Sequence, residues 1–357
     1  MEKDLRKSNI ELLRVVAMFL IIIGHYCYHG LKESQVYAEF TVTDIVGISE
    51  WGGVELLYLI SCIAVNLYVM ITGFFICDRL SFRWKGILKV WLQTVFYGIL
   101  FVLFAFFTMQ EGMQTPLFET LLPIYNSSYW FVTHYVGLML IAPFLSLIVR
   151  SLSRQHYQLL LAIGGIMCLD FFYGQRFAGS MTIHWFIYLY VVSGYIKKYG
   201  VPSILERYSG TVFCIIVVLL FTGVSALNVF KNGGYGQYKL MSTSYDGPIF
   251  FLSVAAFIFF KKIDISKNRI LLLVSRLAPY TFGIYLFHEN PILKQMGLWT
   301  YLIPETYNIP VSLHCLIISV SIFFIGAILD YLRATIFRIC KVDSLCDNIV
   351  QKLPRTL

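Results

Sequence analysis

Residues 9–30 read NIELLRVVAMFLIIIGHYCYHG, an apolar run interrupted by Arg14 and closed by His25 and His29. Eleven helical steps separate Arg14 from His25. At ~100° per step the helix returns to within about 20° of its starting direction, so both side chains share one face, roughly 16 Å apart along the axis. A charge at the centre of a transmembrane helix costs about 2.5–3.5 kcal/mol on insertion scales, so this face must meet something other than lipid. It is the first place to look for function. Arg14 also stands three residues after Glu11, and an i,i+3 pair that neutralises both is the structural alternative.

The rest of the chain is built like its first span. Of 357 residues 58% are hydrophobic, 17% aromatic and only 13% charged, with a mean hydropathy of +0.72. A soluble domain carries about 25% charge. Ten apolar stretches recur, at 9–28, 52–77, 87–108, 129–149, 157–173, 182–197, 210–229, 247–261, 277–294 and 310–333. A helical span needs ~20 apolar residues, so the expected fold class is all-α, a polytopic membrane protein of about ten transmembrane helices. The basic start and apolar core of the first stretch imitate a signal peptide, but no small-residue cleavage site follows, and a retained span is expected.

The net charge of +8 does not require a nucleic-acid partner. With the N-terminus in the cytoplasm, ten spans place 23 of the 28 Lys and Arg residues inside and leave Lys32, Arg176, Lys231, Lys239 and Lys294 outside. That split obeys the positive-inside rule with both termini cytoplasmic. The eight cysteines are scattered without CxxC or Cys/His spacing, which reads as small buried hydrophobes rather than a disulfide or metal framework. The stretch 232–247, NGGYGQYKLMSTSYDG, reads as an outer loop with sugar-stacking aromatics or as an ordinary turn.

This topology sorts the polar residues into two layers. His25, His29, His134, His184, His288 and His314 fall toward the outer side, in the company of Glu55, Asp170 and Glu289; only His156 is cytoplasmic. The cations of the short loops lie opposite. Basic inner loops also serve insertion and anionic lipid, and outer histidines also serve as interfacial side chains bonded to backbone. The chemistry that suits both layers is acyl transfer: an imidazole takes a hydroxyl proton at neutral pH and returns it to a leaving thiolate, while inner Arg and Lys hold phosphates. No GxSxG, Walker-type loop, HExxH or EF-hand pattern is present.

Five blocks in order resemble the membrane-bound acyltransferase-3 family: Arg14-x10-His25, NLYVMITGFFIC at 66–77, RLSFRWKGILK at 79–89, YWFVTHYVGLMLIAPF at 129–144 and YTFGIYLFHEN at 280–290. The resemblance spans nearly the whole chain. It implies one integral membrane acyltransferase domain over 1–357, with a core of about 8–335 and no separate soluble domain. It further implies a multi-pass protein of the cell (plasma or inner) membrane that moves an acyl group, commonly acetyl, from cytoplasmic acyl-CoA to a hydroxyl of a cell-surface glycan or lipid-linked sugar. Acetyl-CoA is then a co-substrate, and no bound cofactor or metal is expected.

By position, the resemblance makes His25 catalytic and Arg14 its functional partner in placing the donor. Lys85 and Lys89 fall in the family's basic region, where arginines are usual, as contacts for CoA phosphates. Thr72 stands where Ser is more usual and keeps the hydroxyl. Glu55, Trp130, His134, Tyr285, His288 and Glu289 are candidate orienting or substrate residues, with Glu289 or Glu55 orienting the imidazole. Direct attack by the hydroxyl and an acyl-histidine relay are both open. The competing class is a transporter or flippase of an envelope precursor, against which stands the lack of a pair of Gly/Pro-broken spans. A glycan polymerase would need a large outer loop. Dependence of product on acyl-CoA separates these readings.

Overall fold

Hydrocarbon offers the backbone no hydrogen bonds, so an apolar chain crossing it must bond to itself as helix. The computed structural model describes residues 2–32, 45–108, 120–169, 182–232, 247–304 and 308–354, and among these the chain is all-helical. In order, α1 is Glu2–His25, followed by a π-helical turn Tyr26–Lys32; α2 is Ile45–Ser61, α3 Ala64–Ile76, α4 Trp84–Phe107, α5 Trp130–Ser151 and α6 Arg154–Cys168. Then come α7 Ile183–Tyr199, the short α8 Ser203–Arg207, α9 Ser209–Asn232, α10 Gly247–Lys262, α11 Arg269–Ser275 and, after a 3-10 turn Ala278–Tyr280, α12 Thr281–His288. Two short helices, α13 Pro291–Gln295 and α14 Leu298–Leu302, precede α15 Val311–Ile339 and α16 Val342–Val350.

Helices occupy all ten expected stretches. Seven among the described residues are long and apolar enough to cross a membrane: 8–31, 52–76, 84–107, 130–151, 209–226, 269–288 and 311–339. The other three, α6, α7 and α10, have 15, 17 and 16 residues. At ~1.5 Å per residue these reach about 22–26 Å, short of the ~30 Å hydrocarbon core. Two expected spans are interrupted. The stretch 52–77 breaks at Cys62–Ile63, where neither Gly nor Pro stands; the stretch 277–294 breaks around Pro279, after α11 has begun eight residues earlier than expected. Proline has no N–H to continue a helical ladder, so the second interruption has a local cause. Six of the eight cysteines are buried, and none forms a disulfide. The stretch 233–246 and Asp170 lie outside the described residues.

The first span is the hub. α1 packs against α2, α3, α10, α11, α12 and α15, and Leu13, Ala17 and Ile22 on it are fully buried. The helices farther from the hub carry the exposed apolar side chains, among them Phe106, Phe107, Ile166 and Leu219. Lipid, rather than protein, is the solvent for those faces.

Polar groups within the bundle are paired across helices. Trp185 Nε1 donates to Asn66 Oδ1 at 2.9 Å, Asn66 Nδ2 donates to Ser253 Oγ at 2.9 Å, and Ser253 Oγ donates to Ile249 O at 2.7 Å. This chain joins α7, α3 and α10. A second network surrounds Asp330 of α15, which is fully buried. Arg333 clasps it with Nε at 2.8 Å and Nη2 at 2.7 Å, while Gln93 Nε2 (2.8 Å) and Tyr97 Oη (3.2 Å) donate from α4. Gly283 of α12 lies against this carboxylate, where a Cβ would overlap it. Gly326 of α15 similarly faces the Ile284 backbone, with 3.0 Å between its would-be Cβ and Ile284 Cα. The two glycines let α12 and α15 approach backbone to backbone, and that approach sets the position of His288 at the end of α12.

Replacing Asn66 with Ala strands the Trp185 N–H in a dry interior, and an unpaired buried donor costs about 1–3 kcal/mol. Asn66→Ala is expected to lower the melting temperature of the detergent-solubilised protein by several degrees, read by fluorescence. An unchanged melting curve would show that this network contributes nothing to stability.

Candidate active site

Two chain turns meet at the far end of α1. On one side, α1 stops at His25 and continues as the wider π-helical turn, a form that is rare and frequent at functional sites. On the other side, α12 ends at His288. Pro291 forbids the helix to run on and holds the residue before it out of the helical region; Asn290 has φ −58°, ψ 125°. Asn290 then caps α13, its Oδ1 accepting from Ile292 N at 2.9 Å. Its Nδ2 donates to Tyr129 Oη at 2.8 Å, and Tyr129 Oη donates to Leu286 O at 3.1 Å. The turn carrying His288 and Glu289 is therefore fixed from α5 as well as from its own cap.

His25 Nδ1 lies 2.9 Å from His288 Nε2, and His288 Nδ1 lies 2.7 Å from Ile284 O. A carbonyl only accepts, so His288 Nδ1 carries a proton and its Nε2, in the neutral ring, has the lone pair. His25 Nδ1 must then donate, which leaves the lone pair of His25 on Nε2. The Glu289 carboxylate stands beside this relay, with Oε1 3.2 Å from His25 Nδ1 and 3.3 Å from His29 Nε2, and Oε2 3.2 Å from Lys294 Nζ. The His25 side chain is 20% exposed, Glu289's only 7%, and His288 is sealed. Only His25 of the three is open to a reactant.

Aromatic rings close the site. Trp299 stacks on His29 with ring centres 6.3 Å apart, and its edge meets His288 at 6.5 Å. Tyr285 meets His288 at 6.1 Å. The Tyr285 hydroxyl and Trp299 Nε1 are both buried without a hydrogen-bond partner. Such donors are uncommon in folded proteins and call for an explanation.

The remaining candidates are placed elsewhere. Glu55 is buried on α2 and accepts from Ser225 Oγ at 3.3 Å. His134 donates through Nδ1 to Trp130 O at 2.7 Å, one turn back on α5, and both rings pack on Phe186. Of the two carboxylates considered for orienting His25, Glu289 is the one brought to it. Arg14 bonds Glu11 Oε2 through Nη1 at 2.6 Å, the local alternative, and Tyr68 Oη donates to the Arg14 carbonyl at 3.2 Å. The arginine stays partly open, at 29% exposure.

Lys85 and Lys89 are engaged by α16. Lys85 Nζ lies 2.7 Å from Asp347 Oδ2 and 3.8 Å from Asp343 Oδ1, and Lys89 pairs with Asp343. The lysine beside Asp343 holds that carboxyl below its ordinary range, so the pairing outlasts mild acid and is lost only as pH falls through the lowered value. A pocket of about 360 Å³ opens next to them, lined by Lys89, Gln93, Arg333, Phe337, Arg338 and Asp343.

Residues 7–331 match the acyltransferase domain of the acyltransferase-3 family. The chain belongs to that family. It is a membrane acyltransferase, and an acyl donor, an acceptor and the bilayer are its partners. No curated protein and no solved structure matches it.

Sequence spacing carried part of this site. His288 and Glu289 stood in a family block, but His29 was noted only as an outer histidine, although its four-residue spacing from His25 was visible. Lys294, Trp299 and the Asn290–Tyr129 tie had no sequence signal, because they arise from the meeting of separate turns. Asp343 and Asp347, one helical turn apart beyond the last span, were a readable acidic face for the lysines. Reversing both lysines to Glu should detach α16 and expose its link to trypsin, seen as faster loss of the C-terminus in limited proteolysis. Equal digestion rates would mean that the ion pairs do not hold it.

Proposed function

We propose that this chain transfers an acetyl group from cytoplasmic acetyl-CoA to a hydroxyl of a cell-surface glycan or lipid-linked sugar outside the cell membrane, with His25 as general base. The observation that carries the reading is the fixed tautomer chain from Ile284 O through His288 to His25, which leaves the lone pair on the one nitrogen not occupied by protein. His25 Nε2 takes the proton of the acceptor hydroxyl as its oxygen attacks the thioester carbon. The tetrahedral intermediate collapses, the C–S bond breaks, and the proton on Nε2 passes to the departing CoA thiolate. Glu289, 3.2 Å from Nδ1, stabilises the imidazolium that exists between these steps. The two buried donors without acceptors, Tyr285 Oη and Trp299 Nε1, are the groups suited to the developing oxyanion.

A ten-crossing arrangement with both termini in the cytoplasm supports this direction of transfer. It is supported in turn by the 23 cations on the inner side and by helices at all ten stretches. The donor's phosphates would bind Lys85, Lys89 and the neighbouring pocket with Arg333 and Arg338. Arg14, between that mouth and His25, would steady the chain of the donor that threads between them.

His25→Ala is expected to abolish O-acetylation while the protein still inserts, so the acetyl methyl signals of the surface glycan vanish from its proton NMR spectrum, as in a deletion strain. Near-normal acetylation in that variant would overturn the assignment. Glu289→Gln keeps shape and removes charge. It should lower kcat by roughly ten- to a thousandfold with little change in KM for acetyl-CoA, since imidazolium stabilisation is felt only on the way to the transition state. A rise in KM at constant kcat would place Glu289 in donor binding instead.

A further inference from the structure

We propose that His25, His29 and Glu289 form a binding site for a zinc-class divalent cation, and that its occupation switches off the acyl-transfer site. The effect on transfer rests on the reading of His25 as general base; the site itself does not. One ring nitrogen each from His25 and His29 and an oxygen of Glu289 lie within 4.8 Å of one another. Two of the edges, 3.2 and 3.3 Å, share Glu289 Oε1. Zinc bonds of ~2.0–2.1 Å in a tetrahedron place neighbouring ligand atoms roughly 3.3–3.4 Å apart, so these two edges match, and the third closes as the His25 ring leaves its hydrogen bond to His288. A water on the open side of His25 would complete the coordination, two histidines and a carboxylate being a familiar zinc set.

A second observation points to the same place. Glu289 Oε1 is buried and has no hydrogen-bond partner, although two imidazole nitrogens stand at ion-pair distance. Its fellow oxygen is held by Lys294, so Oε1 is the atom left to bind. Lys294 also offsets the carboxylate's charge, and the site would select by ligand type rather than by net charge. Nitrogen donors favour zinc and its neighbours over magnesium or calcium.

The switch follows from the tautomer. As base, His25 carries its single proton on Nδ1 and its lone pair on Nε2. A cation on Nδ1 requires the lone pair there, so the hydrogen bond from Nδ1 to His288 Nε2 breaks and the proton moves to Nε2, the atom that must receive the acceptor's proton. Metal binding and base catalysis by His25 therefore exclude each other, with no change in the number of protons on the ring. His29 takes no part in the proton transfer.

The test uses the full-length protein in detergent, stripped with a chelator and dialysed against zinc or cobalt(II), with magnesium as control. Expected are one zinc retained per chain, a visible tetrahedral cobalt spectrum, no retention of magnesium, and a fall in zinc affinity of more than about a hundredfold in His29→Gln, since loss of even outer ligand support costs 10–100-fold. Zinc should silence acetyl transfer by the wild type, and a chelator should restore it. Absence of zinc retention, or equal affinity in wild type and variant, overturns the proposal and leaves the acyltransferase reading intact. Zinc bound at this site in a protein whose metal-free form transfers no acetyl group would instead overturn the base assignment and leave the site standing.

Discussion

Hydrocarbon supplies no hydrogen bonds, and the arrangement of this protein depends on that constraint. Each polar side chain placed between the helices must be answered by another, because an unpaired buried amide or hydroxyl costs a few kcal/mol and an unpaired charge more. Asn66 answers Trp185 and Ser253, and so ties three helices at one point. Asp330 is answered four times, by two Arg333 nitrogens, Gln93 and Tyr97. Apolar packing alone does not distinguish helix from lipid as a neighbour; these polar ties, with the close approach at Gly283 and Gly326, specify which helix goes where.

The Asp330 network also reaches the site. It stands against Gly283; the next residue of α12 is Ile284, whose carbonyl fixes His288, and His288 itself follows one turn later. The carboxylate positions the helix; the helix presents the carbonyl; the carbonyl sets the tautomer. His288 is sealed and makes its bond to a backbone atom of its own helix, so the ring cannot turn without breaking that bond. The tautomer of His25 is thus determined by groups buried behind it.

Much of this was legible in the sequence, and the part that was not has a physical cause. Hydropathy marked stretches that all carry helix, since apolar length is a local property. The membership of His25 and Glu289 in one site was suggested by their placement on the same side. The break at Cys62–Ile63 was hidden because it uses no Gly or Pro, and nothing in a run of apolar residues distinguishes a π-helical turn from an α-helical one. The shortness of α6, α7 and α10 was legible, since their expected stretches, 157–173, 182–197 and 247–261, run only 15–17 residues. Lys85 and Lys89 read as free cations for a donor; their pairing with Asp343 and Asp347 is a contact between α4 and a helix some 250 residues away. In the proposed reading, donor phosphates would displace those exposed carboxylates, and solvent-screened surface pairs are weak enough to yield.

The buried atoms that remain unanswered are distributed unevenly. Among the described residues four buried side-chain polar atoms lack a hydrogen-bond partner: Tyr285 Oη, Glu289 Oε1, Trp299 Nε1 and Ser319 Oγ. Three of them surround the His25–His288 pair. A protein that satisfies Asn66 and Asp330 completely can satisfy a tyrosine and an indole, and leaving them unpaired costs about 1–3 kcal/mol each. The deficit is concentrated around the histidine proposed as the base. Stability withheld at one cluster, inside a bundle that elsewhere pairs its polar groups, is what pre-organisation requires: donors already desolvated and already aimed, with no protein acceptor to surrender before charge develops.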